Sequence, residues 1–374
     1  MSFHYLMHNQ TLIRDTGVFE LQYTPETIHY RDQELKQLAG AVSPALRGAS
    51  PTNTNLRGPP GTGKTTCVHR IFSELEETTQ SVVPVFVNCN SANTTCRVFA
   101  VIFERLFGHQ PPNSGVHPHL LIDPIAKELI KRKAVLIVCL DDAHYLRHND
   151  QFDVIVRSLL RMYENYPGVK TGVLTTISDH TFPPLMILDP AVISVWQPEE
   201  IPFTCYQREQ VRTILHDRIR MGLYPGVVPH VILDRITDLT KEEGDLRVGI
   251  DLLKHAVLNA ERDARTVVTD DDVTRAFGIA QSAHLIHLRE GLKPNEERLL
   301  CHIAQMKRDN PNVPILSGPL YDSFRATQNI SYSGFHGWLT HLSDLRFIDL
   351  RRRAHIGNSR EVILLVDHES LKII

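Results

Sequence analysis

The sequence has little of what marks membrane, secreted or metal-clustered proteins. Its longest uninterrupted apolar run, Ala134 to Leu140, is seven residues, whereas a membrane-crossing helix needs ~20. The chain does not open on a basic stretch followed by an apolar one, so the expectation is a cytoplasmic protein with no membrane contact. Six cysteines (67, 89, 96, 139, 205 and 301) form no C-x-x-C pair, which argues against a disulfide framework or a zinc finger. Twenty histidines include no H-E-x-x-H, and His117-Pro118-His119 reads more readily as surface or capping residues than as a metal site. Nor is there an excess of charge: the net value is −3, so any nucleic-acid contact has to be local. The charge is uneven, with residues 1–284 at net −5, residues 285–374 at net +2, and five arginines against one aspartate between Arg346 and Arg360.

What is present is a phosphate-binding loop. Gly58, Pro59, Pro60, Gly61, Thr62, Gly63, Lys64, Thr65 and Thr66 fit G-x-x-x-x-G-K-[ST] in full. Glycines let backbone N–H groups close around phosphate oxygens, Lys64 reaches the β- and γ-phosphates, and the Thr65 hydroxyl sits on Mg²⁺. The helix that begins there points its positive end at the anion. Strand-like and helical runs then alternate: a strand ending at Arg57, a helix over 65–75, a strand over 81–88, helices over 95–107 and 120–131, and the continuously apolar strand 134–140. That alternation predicts a parallel sheet with helices on both faces.

Asp141 and Asp142 end the apolar strand and complete a nucleotide site. Asp141 is expected to hold Mg²⁺, and Asp142 to orient or deprotonate the attacking water; the alternative is a solvent-facing acidic pair. After a helix over 152–163, the strand 171–177 ends in Ser178-Asp179. In ATPases of this class a polar residue there lies between the carboxylates and senses the γ-phosphate. Arg247 opens a helix through Asp251, Leu252 and Leu253, from which a cation can fold onto the γ-phosphate.

At this point the ordered set of motifs resembles the archaeal AAA+ replication initiators. That family is similar both to the largest subunit of the eukaryotic origin recognition complex and to the cell-division-cycle ATPase that helps load the replicative helicase. The resemblance covers nearly the whole chain. It rests on Tyr23-Thr24-Pro25-Glu26-Thr27-Ile28-His29-Tyr30-Arg31-Asp32 before the loop, Val87-Asn88-Cys89, Tyr206, Gly244-Asp245-Leu246-Arg247 and Val268 to Val273. It implies that Tyr23, Pro25, Ile28, Arg31 and Tyr206 surround the base of ATP or ADP, and that Arg247 is the family's second sensor.

Three positions depart from the family. The usual Asp-Glu pair is Asp141-Asp142, which sets the second carboxylate back by ~1.5 Å, and a misplacement of about 1 Å can cost ~100-fold in rate. The first sensor, usually Asn, is Asp179, a carboxylate that repels phosphate unless protonated or paired. The family's D-P-R-V is Asp189-Pro190-Ala191-Val192, without the arginine that a neighbouring subunit offers, worth ~10³–10⁵ in rate. Arg157 and Arg161, one helical turn apart, are candidate substitutes. The expectation is ATP binding with weak hydrolysis.

Helices over 206–221, 229–241, 246–264 and 270–283 read as a lid over the nucleotide. Beyond Leu292, helices over 294–306, 317–324 and 334–345 and strands over 347–350 and 362–366 read as a winged-helix domain with a basic hairpin. The fold class expected is therefore an α/β P-loop AAA+ ATPase core (1–200) with a helical lid (201–285), followed by a C-terminal winged-helix domain (286–374). Phe335, Trp338, Leu339 and Leu342 form the core stripe of the third helix, leaving Ser333, His336 and Thr340 to face a major groove. Arg351, Arg352, Arg353 and Arg360 would hold phosphates or enter a minor groove; the alternative is a solvated turn that protects an edge strand. The family's second DNA contact would fall within Cys96 to Lys127, with Asn113-Ser114-Gly115 in the right stretch.

The expected function is an ATP-bound switch that recognises double-stranded origin DNA, helps bring in the replicative helicase, and assembles with copies of itself or paralogous initiators. A divergent paralogue acting as an ATP-dependent DNA-binding regulator, and a clamp-loader or remodelling-type ATPase, remain as alternatives.

Overall fold

The computed structural model describes residues 11–20, 23–111, 118–179, 182, 188–278, 292–310, 313–326, 328, 330–344, 347–352 and 360–364. The chain divides into two compact units, Met1–Val273 and Thr274–Ile374. None of the helices among the described residues is long and apolar enough to cross a membrane.

The first unit is built on five parallel strands in the order β2-β3-β4-β1-β5: β1 Thr54–Arg57, β2 Val82–Asn88, β3 Val135–Asp141, β4 Lys170–Ile177 and β5 Glu199–Pro202. Strand β3 is apolar up to its last residue, Asp141, because both faces are covered. Leu136, Val138 and Leu140 enter one core with Val98, Phe99, Ile125 and Phe152. Val135, Ile137 and Cys139 enter the other with Leu38, Cys67, Val68 and Leu75. Period-two alternation thus serves two cores at once. The helices on these faces are α1 Asp32–Leu46, α2 Lys64–Thr78, α3 Thr95–Phe107, α4 Pro118–Arg132 and α5 Gln151–Leu160, followed by the short α6 Met162–Asn165 and α7 Pro190–Ile193. The single helix expected over 152–163 is two, broken at Arg161, where the backbone leaves helical values. Helix α1 and edge strand β5 were not expected from the sequence; β5 is four residues long with one buried side chain, which is too short for a period to show.

Helices α8 Arg208–Gly222, α9 His230–Glu243 and α10 Leu246–Arg262 follow. The break between α9 and α10 is local chemistry. Gly244 takes the left-handed φ of 74° that ends a helix, and the Asp245 carboxylate caps the next by accepting from Arg247 N at 2.9 Å.

The second unit contains α11 Pro294–Asp309, β6 Ile315–Leu316, α12 Ser317–Arg325, α13 Tyr332–Asp344, β7 Ile348–Arg352 and β8 Arg360–Leu364. The three expected helices are present, but the sheet has three strands, not two. Strand β6, only two residues long, pairs antiparallel with β8, giving the order β6-β8-β7. Leu299, Leu300, Ile303, Leu320, Phe324, Phe335, Leu339, Leu342 and Val362 form its core.

Phe152 lies edge-on to Phe182 and Trp196, with ring centres 5.5 and 6.2 Å away, in the larger core. Replacing Phe152 by Ala is expected to destabilise the first unit by about 3–5 kcal/mol, read from the urea unfolding midpoint.

Candidate functional site

Parallel strands bring their carboxyl ends to one edge, and the sequence motifs meet there. The phosphate loop leaves β1, Asp141 ends β3, and Thr176 lies next to last in β4. Asp141 is 6% exposed and accepts from two hydroxyls, Thr65 Oγ1 at 2.9 Å and Thr176 Oγ1 at 2.7 Å. Burial raises its pKa above the usual carboxylate range, the two hydroxyl bonds pull it down, and the charge on Asp142 adds to the rise. A buried carboxylate beside a threonine hydroxyl is a hard-oxygen pair that fits Mg²⁺, an ion that keeps waters and phosphate oxygens as its remaining ligands. No cluster of three or more His, Cys, Asp or Glu occurs among the described residues to hold a fully protein-coordinated metal instead.

Lys64 is 5% exposed and donates from Nζ to Gly58 O at 2.7 Å and Pro59 O at 2.8 Å. Burial pushes its pKa down to about 8, with Asp142 and Asp141 opposing the shift and Arg247 adding to it. Thr62 closes the loop by donating to Pro59 O at 2.8 Å. Gly61 has φ +69°, and a Cβ there would lie 1.8 Å from Asp245 Oδ1. A carboxylate from the start of α10 is therefore seated directly on the phosphate loop. Arg247 is bound to the same carboxylate at 2.6 Å, and that bond raises its pKa.

Asp142 is held in an unusual posture. Its φ is +52°, its N–H donates to Thr176 Oγ1 at 2.8 Å, and its Oδ1 accepts from Ser178 Oγ at 3.0 Å. Asp179 is paired: Arg147 Nη2 stands 3.7 Å away, and the same guanidinium lies 5.8 Å from the Phe182 ring centre. Ala191 is exposed in α7. Arg157 is engaged with Asp153 at 2.8 Å and Asp189 at 3.3 Å, and Arg161 with Glu164 at 2.6 Å, so both candidate substitutes already carry ion pairs.

The residues expected around a base divide. Arg31 is 4% exposed and donates to Thr62 O at 3.0 Å, Tyr206 OH at 3.2 Å and Thr204 O at 2.6 Å. Its guanidinium lies 4.2 Å from the Tyr206 ring centre. A Cβ on Gly63 would meet Tyr206 OH at 2.9 Å, so Tyr206 stands beside the loop. Ile28 is buried in the core with Leu38 and Cys67, and Pro25 is half-buried. Tyr23 lies under Arg218, 4.4 Å from its guanidinium, with its hydroxyl 3.7 Å from Met221 Sδ, so its contacts are with α8.

In the second unit Ser333 and Thr340 are exposed on α13 and His336 is half-buried between them, with Thr340 Oγ1 donating to His336 O at 3.0 Å. Arg351 is exposed and bonded to Asp349 at 2.8 Å. Arg352 ends β7 opposite Arg360, which opens β8 and donates its N–H to Ser317 Oγ at 3.0 Å. Arg353 and Asn113-Ser114-Gly115 lie outside the described residues.

Sequence reasoning missed Thr176, His144 and Arg147, and named Ser178 only as the neighbour of Asp179. Thr176 had no signal beyond its place at a strand end. His144 and Arg147 stand two and five residues after Asp142, close behind the acidic pair.

Two family models match: an AAA domain over residues 50–176 and a Cdc6 AAA+ ATPase-type lid domain over residues 212–278. The chain is 38% identical to ORC1-type DNA replication protein 2 of Methanothermobacter thermautotrophicus, over 98% of this chain and 96% of that protein. It is 37% identical to ORC1-type DNA replication protein 6 of Halobacterium salinarum, over 96% and 95%. Among solved structures, the Aeropyrum pernix ORC1 protein in complex with DNA superposes with a TM-score of 0.74 at 26% identity, covering 97% of this chain and 96% of that one. The Aeropyrum pernix ORC2 protein in its ADPNP-ADP complexes gives 0.75 at 23% identity over 96% of each chain, a likeness of fold.

The seat of Asp245 on the loop gives a test. Gly61→Ala is expected to cost about 1–2 kcal/mol for a left-handed backbone, plus the displacement of Asp245. Adding Asp245→Ala should recover the second part only, so a double-mutant cycle by urea unfolding should show coupling of ~0.5–3 kcal/mol; additive effects would mean that the two groups do not touch.

Proposed function

The chain belongs to the ORC1-type DNA replication proteins, the archaeal ORC/Cdc6 family of AAA+ initiators, and from this we propose that it is an ATP-controlled switch that recognises origin DNA and hydrolyses ATP slowly. The observation that carries the nucleotide half is the bond from Thr65 to Asp141 beside an intact loop. Mg²⁺ held by these two oxygens would offset the charge of the β- and γ-phosphates. Lys64 exchanges its bonds to Gly58 O and Pro59 O for phosphate oxygens, and the N-terminus of α2 supplies backbone donors. Arg247 leaves Asp245 for the γ-phosphate, which draws α10 onto the loop. Arg31 and Tyr206 border the nucleotide from the opposite side.

The slow step follows from three groups. Asp142 is one methylene short of the usual glutamate. Asp179 is a carboxylate, but Arg147 beside it offsets the repulsion that an unpaired acid would bring. Ala191 offers no arginine to a neighbouring subunit, and Arg157 and Arg161 would have to leave existing ion pairs to replace one.

The DNA half rests on the second unit, which we read as a winged helix whose third helix carries Ser333, His336 and Thr340 toward a major groove, with Arg351, Arg352, Arg353 and Arg360 on the wing. The likeness to the Aeropyrum pernix ORC1 protein, solved in complex with DNA, supports this reading. Recruitment of the replicative helicase and assembly with further initiators complete the proposal. Genome-wide footprinting separates it from a regulator: a few repeated sites beside an origin are expected, and scattered promoter sites would overturn it. Robust DNA-stimulated turnover would favour a remodelling motor instead.

Two measurements check the parts. In single-turnover hydrolysis, Asp142→Glu is expected to raise the rate by up to ~100-fold, and an unaltered rate would count against Asp142 as the water-orienting group. Arg351→Ala is expected to weaken DNA binding about equally across sequences and to reduce the salt slope by about 1, while Thr340→Ala should relax base preference at one position by ~1–3 kcal/mol.

A further inference from the structure

His144 lies in the turn Ala143–Asp150 that follows the acidic pair. Its ring stacks at a tilt on Tyr145, with centres 4.5 Å apart. Its Nδ1 is buried and has no hydrogen-bond partner. Asp142 Oδ1 lies 4.0 Å away. A buried ring nitrogen without a partner is costly, and one aimed at a carboxylate from just beyond bonding distance is poised to close on it.

The charges around it favour one arrangement. Burial lowers the pKa of His144, Asp142 and Asp179 raise it, and Lys64 and Arg147 lower it. Burial therefore favours the neutral ring, which holds one proton. With a carboxylate facing Nδ1, that proton belongs on Nδ1, which makes it a donor toward Asp142. Closing the gap by about 1 Å would give a charge-assisted bond of ordinary length.

We propose that His144 is a positioning residue for the nucleotide site: its Nδ1–H holds the short Asp142 carboxylate in place from behind. A glutamate reaches forward by its own length; here the reach is short, and His144 together with Ser178 fixes its direction. Asp142 itself has a left-handed φ of +52° and is bonded at present to Ser178. His144 neither touches the nucleotide nor gives up a proton in this role. The proposal rests on the reading of Asp142 as the residue that orients the attacking water.

The test uses the full chain with His144→Ala, His144→Asn and His144→Gln. Asparagine sets an amide nitrogen where Nδ1 stands, and glutamine sets one where Nε2 stands. His144→Ala is expected to lower the single-turnover rate with Mg²⁺-ATP by roughly 10- to 100-fold while the ATP Kd stays within about twofold. His144→Asn should recover most of the rate and His144→Gln should not. Equal rates for Asn and Gln, or a loss that follows Kd or Tm, would overturn the proposal. A second readout does not depend on hydrolysis. The ¹⁵N spectrum of the labelled protein, with the His144 signals identified by their loss in His144→Ala, should show an Nδ1–H tautomer that Asp142→Asn alters. An Nε2–H tautomer indifferent to Asp142→Asn would reject the pairing even if ATP hydrolysis is confirmed. An Nδ1–H tautomer in a protein that does not hydrolyse ATP would uphold the pairing and reject the catalytic reading of Asp142.

Discussion

Arg31 is a cation with almost no exposed surface, and the nucleotide edge is organised around it. Its three nitrogens reach Thr62 O in the phosphate loop, Thr204 O and Tyr206 OH after β5, and Glu34 in α1. An unpaired buried guanidinium would be very costly, so every one of these partners has to be present together. Its planar fork reaches several acceptors at fixed angles, which an ammonium would not do. The loop backbone is thereby tied to α1 on one side and to the entry of α8 on the other. The stacking on Tyr206, worth up to ~2 kcal/mol when desolvated, fixes the ring beside the loop as well.

The segment before Arg31 extends this tie into the lid helices. Ile13 bridges Leu223, Arg14 donates to Arg220 O and Met221 O, and Thr11 reaches Glu261. Lys254 pairs with Glu20, and Arg218 donates to Val18 O while covering Tyr23. One stretch of chain therefore grips α8 and α10 and then enters the phosphate-loop neighbourhood at Arg31. A change in the position of α10, where Arg247 and Asp245 sit, is felt by this strap as well as by the loop. That gives physical content to the idea of a lid that reports on nucleotide.

Much of this was legible in the sequence because the strongest constraints are local or periodic. The apolar run of β3 announces a strand covered on both faces, and Gly244-Asp245 writes a helix stop and a helix start in two residues. The phosphate loop is a contiguous backbone requirement. The features that stayed hidden depend on which strands become neighbours. Thr176 joins Asp141 only because β4 inserts between β1 and β3, an order that no stretch of sequence states. The edge strand β5 and the two-residue β6 are too short to carry a period. Tyr23 fits the pattern of a base-side residue, yet its contacts run to Arg218 and Met221, since a tyrosine beside a buried arginine is held by that cation wherever the motif places it.

The charges at the strand ends are balanced group by group, which fits the slow but intact site proposed above. Asp141 and Asp142 lie near Lys64, and Asp179 follows the end of β4, a density of negative charge that would oppose a triphosphate if left alone. Each is answered separately: Asp141 by two hydroxyls and a place for a divalent cation, Asp142 by Ser178 and the nearby imidazole, Asp179 by Arg147. Arg247 is held back by Asp245. Grip and chemistry are thus carried by different groups. In the proposed reading the phosphate-binding lysine of the loop, Lys64, is buried and bonded to backbone, so substitution elsewhere would leave it intact. Those that would speed hydrolysis are side chains at the rim, where a lost methylene or a lost arginine lowers rate without loosening the hold. On the proposed reading that division would favour a switch that persists in its bound form, since the lifetime of the bound state would be set at the rim and its affinity in the loop.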